Sequence, residues 1–330
     1  MDIPKKLNIK KDISLKKYSN IKTGGRAKFF VEVKTVNQLI DVVEFWRSNS
    51  KTLGRLMIVS GGTNILFSDE GFNGLVIFIN LQKVKYLDDG LIFTESGVSM
   101  SKLVKLSLDK KLSGLEWASG LPGTIGGAVR GNAGAFGGEI KDNVFTVVAL
   151  NIKHKEIIFS VYPNKECQFN YRASFFKEEN KKSPSHIIVG IYLKLEKSSN
   201  SFISKKTATN NLNYRKTRHP IEYPTLGSTF KNIPLKKVSK KVQKEFGAVI
   251  KNDPFPIIPV AAILDKINLK GCKIGDIQFA DKHPNFLINL GNGTSKDAIN
   301  LIKFAQKSVK NKYNIFLEPE IEVIDKINSK

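Results

Sequence analysis

The sequence predicts an α+β protein made of more than one domain. Two observations carry this. The chain has 330 residues, 41% of them hydrophobic, which is enough chain for two or three separately cored domains. Strand-like apolar runs and helical apolar faces are also interleaved along it, punctuated by glycine-rich and polar stretches.

The elements fall into three blocks, with expected domains over residues 1–80, 81–205 and 206–330. In the first block, Phe29, Phe30, Val31, Glu32 and Val33 read as a strand. Thr35 and Gln38 then form a capping signal ahead of an apolar face made by Leu39, Ile40, Val42, Val43 and Trp46. Leu56 to Val59 reads as a short buried strand that runs into a glycine loop. The second block holds strands near Leu91 and from Val147 to Ile152. Leu103, Val104, Leu106 and Leu108 mark a helix between them, and the polar stretch 177–185 is expected to be a surface loop. The polar stretch 198–209 is the expected linker. In the third block, Pro259 opens a helix through Leu264. Thr294 and Asp297 cap another, whose face is Ala298, Leu301, Ile302, Ala305 and Val309. Segments 315–317 and 321–324 read as terminal strands.

Composition excludes several classes. No apolar run approaches the roughly 18 residues of a membrane span, and the first residues lack the apolar core of a signal peptide. The expectation is a cytoplasmic protein with no membrane partner. Two distant cysteines, Cys167 and Cys272, exclude a disulfide scaffold and any C-x-x-C metal site. The four histidines have no metal-ligand spacing and read as surface or loop residues. The formal charge of +23 suits an anionic ligand, but it comes from lysines spread along the chain. The densest run, 236–244, alternates with Val238 and Val242 like one solvated helix face. No nucleic-acid motif accompanies it, so no nucleic-acid partner is expected.

Five constellations offer chemistry. Ser60, Gly61, Gly62, Thr63 and Asn64 are small residues with donors, suited to an anion nest but equally to a plain glycine turn. A glycine-dense stretch runs through Gly120, Pro122, Gly123, Thr124, Ile125, Gly126 and Gly127, then from Gly131 to Gly138. It lets backbone lie against a flat or phosphorylated ligand, or simply makes tight turns. Tyr171 and Arg172 suit a carboxylate clamp or a surface ion pair. Gly227 lets the chain expose the Ser228 hydroxyl near Lys231 and Asn232, although no serine-hydrolase elbow is present. Glu318 and Glu320 lie two apart, on one face of an extended edge segment around Pro319.

The order of these motifs is more specific than any one of them. T-G-G at Thr23, Gly24 and Gly25 is followed by G-G-T-N, G-x-P-G-T-I-G-G, G-N-A-G-A, Y-R-x-S, G-S-x-F-K-N and a terminal L-E-x-E. The series resembles the MurB family over nearly the whole chain, from about Tyr18 to Ile324. The resemblance implies an FAD-binding, PCMH or vanillyl-alcohol-oxidase-like two-lobed flavin domain followed by a C-terminal α/β substrate domain. It implies reduction of UDP-N-acetylglucosamine enolpyruvate by NADPH through FAD, in peptidoglycan synthesis, by a monomer acting on a small-molecule substrate. Residue by residue, Arg172 matches the catalytic arginine, Ser228 the proton donor and Glu320 the catalytic glutamate. Residues 60–64 and 120–127 match the FAD loops. Asn232 matches a substrate-contacting asparagine, while Lys231, Arg215, Lys216 and Arg218 are expected at the substrate diphosphate and Tyr171 at the substrate. Ser60 stands where the family often has glycine, Glu322 where many members have arginine, and Ile233 precedes Pro234 where K-N-P is common. The alternatives are an FAD-dependent oxidase of another substrate class, which need not keep Ser228, Arg172 and Glu320 together, and a flavin-free or basic nucleic-acid-binding module.

Overall fold

The first strand signal becomes Arg26–Val33 in a computed structural model of the chain, which describes residues 2–153, 156–179 and 184–324. This strand runs parallel to Phe72–Ile79, which in turn runs parallel to Arg55–Val59. Lys10–Ser14 completes the four-stranded sheet at one edge. Central parallel strands lie between covering layers, so their apolar runs are continuous rather than alternating: Leu75, Val76 and Ile77 are all buried. The crossover helix Val36–Ser48 begins as the sequence predicts, with the Thr35 hydroxyl accepting from Gln38 N–H at 3.2 Å. It buries Leu39, Val42 and Val43.

The chain divides into two compact units, drawn differently from the three consecutive segments expected. The first comprises Met1–Ile13, Ala27–Gly61 and Phe72–Leu212, and the second Ser14–Arg26, Gly62–Gly71 and Asn213–Lys330. The first unit also holds a five-stranded antiparallel sheet. Its order is Ile158–Pro163, Val144–Asn151, His186–Lys194, Leu91–Glu95 and Val84–Tyr86. Side-chain alternation gives this sheet two faces. Ile187 and Val189 enter the core that contains Leu39 and Val43. Ile188 and Ile191 enter a second core with Leu103, Ile125 and Trp117.

The second unit has its own core, reaching from Ile21 and Leu66 to Phe230, Ile263 and Leu301. Its main sheet orders Thr225–Ser228, Phe286–Asn289, Ile277–Phe279 and Lys273–Ile274. The helix Ser295–Tyr313 starts at a complete capping box between Thr294 and Asp297 and buries the predicted face. The Asp69 carboxylate also accepts from Ser295 N–H at 3.0 Å and Lys296 N–H at 2.9 Å. It places negative charge at the positive helix end.

Several expectations need correction. The expected linker 198–209 is mostly helix, since Ser201–Arg218 is one 18-residue helix. It starts where the Asn200 side chain accepts from Phe202 and Ile203 N–H. This helix buries little beyond Ser204, Ala208 and Arg215, so its sequence carries no apolar period to read. Lys177 and Glu178 belong to the helix Phe175–Glu179 rather than to a loop, and positions 180–183 lie outside the described residues. Segment 315–317 is not a strand, and the terminal strand is Glu322–Ile324, parallel to Ile65–Phe67. The lysine run splits into a turn, Leu235–Lys237, and a short helix, Lys240–Glu245, that buries Val242. His186 is buried in a strand, His219 and His283 are half-buried, and His154 lies outside the described residues. The rings of His186, His219 and His283 pack against aromatic neighbours as apolar bodies.

Candidate active site

In the first unit the glycine loop is built by backbone contact. A Cβ at Gly61 would sit 2.9 Å from Gly123 Cα and 3.3 Å from Thr124 N. A Cβ at Gly126 would sit 2.7 Å from Ser96 Cβ and 2.8 Å from its carbonyl oxygen. Ser60, the departure from glycine, contributes a tie: its hydroxyl lies 2.8 Å from the Thr124 hydroxyl. Thr124 in turn accepts from Gly127 N–H at 3.4 Å and starts the helix Ile125–Gly131. Gly120 and Gly123 have positive φ, 71° and 103°, the conformation that glycine adopts without strain. Beside this loop the Ser96 hydroxyl is buried without a hydrogen-bond partner among the described residues. An unsatisfied buried hydroxyl costs about 1–3 kcal/mol, so a ligand acceptor or donor there is physically favoured. Small residues, close backbone and an orphaned hydroxyl fit a phosphorylated cofactor such as FAD.

The second half of the glycine stretch positions Arg172. That residue has φ 55°, uncommon for a side-chain-bearing residue and a mark of functional sites. Its guanidinium donates to Gly134 O at 2.9 Å and lies 5.1 Å from the centre of the Tyr171 ring. A Cβ at Gly134 would come within 3.4 Å of the Arg172 guanidinium, so glycine opens that approach. Neighbouring ties hold the turn: Asn132 donates to Asn170 O at 3.0 Å, and Ser174 donates to Arg130 O at 2.7 Å.

In the second unit the chain that follows Ser228 pairs with the segment that carries Glu320. Glu320 N–H donates to Thr229 O at 2.8 Å, Lys231 N–H donates to Glu318 O at 2.9 Å, and Phe230 pairs with Pro319. The strand end at Ser228 is therefore bound edge to edge to the L-E-x-E segment. Gly227, with φ 77°, turns the chain just before Ser228. Asn285, which the sequence reading missed, is 2% exposed. It donates to Phe230 O at 2.9 Å and accepts from Phe230 N–H at 3.0 Å, while its own carbonyl accepts from Thr229 N–H at 2.7 Å. The Thr229 hydroxyl is buried without a partner among the described residues.

The other predicted contacts divide. The Lys231 ammonium pairs with Glu318 at 2.5 Å. The Asn232 side chain accepts from Val260 N–H at 3.1 Å, capping Val260–Lys266. Lys216 and Arg218 are exposed in the last turn of Ser201–Arg218. Arg215 is buried, and burial lowers its pKa to about 10, still cationic at neutral pH. Nearby, His219 and His283 stack edge-to-face at 5.5 Å and both pack on Phe286. Burial pushes each imidazole down to about 4. Asn64, read as a cofactor donor, spends its side-chain amide on Glu320 O at 3.0 Å. Among the described residues no group of three or more His, Cys, Asp or Glu is placed to hold a metal.

A family model of the UDP-N-acetylenolpyruvoylglucosamine reductase C-terminal domain matches residues 219–324, and one of an FAD binding domain matches residues 27–151. The chain is 32% identical to the UDP-N-acetylenolpyruvoylglucosamine reductase of Caldanaerobacter subterraneus over 94% of its own length and 91% of that protein's. It belongs to the UDP-N-acetylenolpyruvoylglucosamine reductase family. The enzyme of that name from Clostridium tetani is 33% identical, over 97% of this chain and 94% of its own. The crystal structure of MurB from Thermus caldophilus superposes with a TM-score of 0.73 at 26% identity, covering 96% of this chain and 98% of that one. The α+β architecture with an FAD-binding domain is thus that of the reductase family.

Proposed function

We propose that this chain reduces UDP-N-acetylglucosamine enolpyruvate to UDP-N-acetylmuramate with NADPH as reductant, a step in peptidoglycan precursor synthesis. The observation that carries the residue assignment is the 2.8 Å bond from Glu320 N–H to Thr229 O, which binds the acid-bearing segment directly to the Ser228 strand. Ser60, Gly61 and the 120–127 loop would hold FAD, with Gly62 and Thr63 continuing the cofactor loop. When bound, FAD would supply the two-electron hydride-transfer chemistry between NADPH and the enolpyruvyl group.

The chain's own residues manage charge and proton. After hydride arrives, negative charge builds as an enolate of the adjacent carboxylate. The Arg172 guanidinium, held rigid by Gly134 O, offers a planar cation to that charge. The Glu320 carboxyl is assigned to the same developing charge. The Ser228 hydroxyl gives its proton to the ether-bearing carbon as general acid. A hydroxyl is a weak acid, but an enolate is basic enough to take its proton. Lys231, Asn232, Tyr171, Arg215, Lys216 and Arg218 are assigned to substrate, the cations among them to its diphosphate.

The reading places the enzyme in the cytoplasm as a monomer that needs no nucleic-acid partner. Among the described residues no helix is long and apolar enough to cross a membrane. The test is an anaerobic absorbance experiment on purified protein. Flavin bands should bleach with NADPH and return on adding UDP-N-acetylglucosamine enolpyruvate. Bleaching without return would discard this substrate, and no flavin after FAD addition would discard the flavoenzyme.

A further inference from the structure

Glu320 stands on backbone that is held at both peptide groups. Its N–H is taken by Thr229 O at 2.8 Å, and its carbonyl accepts the Asn64 side-chain amide at 3.0 Å. Asn64 is itself fixed, because its backbone carbonyl accepts from Glu322 N–H at 2.9 Å. The parallel pairing of Ile65–Phe67 with Glu322–Ile324 begins at that point. Asn64 thus brackets Glu320, side chain to one carbonyl and main chain to the next but one N–H, across 256 positions of sequence. Glu320 itself lies just outside the regular strand, beside Pro319, which has no N–H to give. Without the amide, the peptide following Glu320 would lose that side-chain tie, and the carboxyl would shift relative to Ser228.

We infer that Asn64 is a positioning residue for Glu320: its amide fixes the peptide that aims the carboxyl, so the cofactor-loop asparagine serves the substrate half of the reaction rather than holding FAD. The inference rests on the reading of Glu320 as a catalytic group. An aspartate at this position keeps the shape but turns the donor into a carboxylate facing a carbonyl oxygen, which repels. An alanine removes the tie alone. Misplacement of a reacting group by about 1 Å is commonly worth about a hundredfold in rate.

The experiment compares Asn64→Ala, Asn64→Asp, Glu320→Gln and the double variant Asn64→Ala/Glu320→Gln in anaerobic stopped flow, with flavin content measured first. Flavin content and NADPH bleaching should stay within about twofold of the parent in both Asn64 variants. Reoxidation by substrate should slow roughly ten- to a hundredfold, with Asn64→Asp at least as slow as Asn64→Ala. In the Glu320→Gln background, Asn64→Ala should slow reoxidation no further, because residues that act as one unit are not additive. Loss of flavin in the Asn64 variants would return Asn64 to the cofactor. An equal fall in both half-reactions, or an additive double variant, would make it a merely structural residue. Normal reoxidation by Glu320→Gln would overturn the role of Glu320 and with it this inference. Should Asn64→Ala not fold, Asn64→Ser, which keeps a shorter donor, should show partial slowing by the same criteria.

Discussion

Arg172 in the first unit and Glu320 in the second are held by opposite strategies. The ties around Arg172 are local: Gly134 lies 38 positions away, and Asn132 reaches Asn170 over the same distance. Glu320 is held by Asn64, 256 positions away, and Ser228's neighbour Phe230 by Asn285, 55 positions away. The first arrangement is a stretch of small residues folded on itself. The second is a junction of three separate chain segments, 14–26, 62–71 and 213–330, gathered in one unit. A local arrangement tolerates change elsewhere in the chain, whereas a junction is weakened when one of its asparagines is lost.

The largest expected effect tests the chemistry at the junction. Ser228→Ala should leave NADPH reduction of the flavin within about twofold. It should slow reoxidation by substrate by roughly two to four orders of magnitude, the range of general acid catalysis. Equal loss in both half-reactions would mean that Ser228 is structural.

The next effect contrasts two glycines. Gly126→Ala places a Cβ 2.7 Å from Ser96 Cβ and 2.8 Å from its backbone oxygen. The loop must then shift, and flavin content after purification should fall by about tenfold or more, since lost loop contacts of only about 1.4 kcal/mol suffice for tenfold. Gly227→Ala meets nothing within 4 Å, and only its φ of 77° resists a side chain. It should cost about 1–2 kcal/mol of local strain, keep its flavin and slow reoxidation. If Gly227→Ala loses flavin while Gly126→Ala keeps it, the assignment of cofactor to the first unit is wrong.

Asn285→Ala should act on stability. It leaves the N–H and carbonyl of Phe230, a residue of 0% exposure, without their partner. A buried unpaired group costs about 1–3 kcal/mol. A urea midpoint unchanged from the parent would show that water replaces the amide.

These contrasts explain what was legible in the sequence. Elements with a capped start and a buried face were read directly: Thr35 before Val36–Ser48 and Thr294 before Ser295–Tyr313 both cap as expected. Arg172, Ser228 and Glu320 stood out as candidates because each sits in a short ordered motif. The helix Ser201–Arg218 was read as a linker because it is polar almost all round, and periodicity reports burial rather than helicity. Asn285 carried no signal, since a single asparagine that satisfies backbone 55 positions away has no local pattern. Asn64 was read toward the cofactor, and its amide hydrogen bond to Glu320 O carried no sequence signal. A donor beside glycines suggests an anion, and a bond to a segment 256 positions away is visible only in the fold.

The smallest expected effect concerns the histidines beside the Ser228 strand, where Ser228 pairs with Phe286. His219 and His283 both pack on that ring. Burial, first among the causes, lowers both pKa values to about 4, and for His219 the His283 and Arg215 charges add to it. An unfolded histidine titrates near 6.5. Between about pH 6.5 and 4 the unfolded chain therefore binds more protons than the folded one, and stability falls as pH falls through that window. Above pH 6.5 both states are neutral there and the contribution is complete. The urea midpoint should accordingly drop from pH 7 to pH 5, before most carboxylates titrate. His283→Gln should flatten that drop while lowering the midpoint at pH 7 only slightly. A drop of equal slope in the variant would show that His283 is not buried as a neutral ring. It would also weaken the view that the second unit depends on the exact filling of its junction.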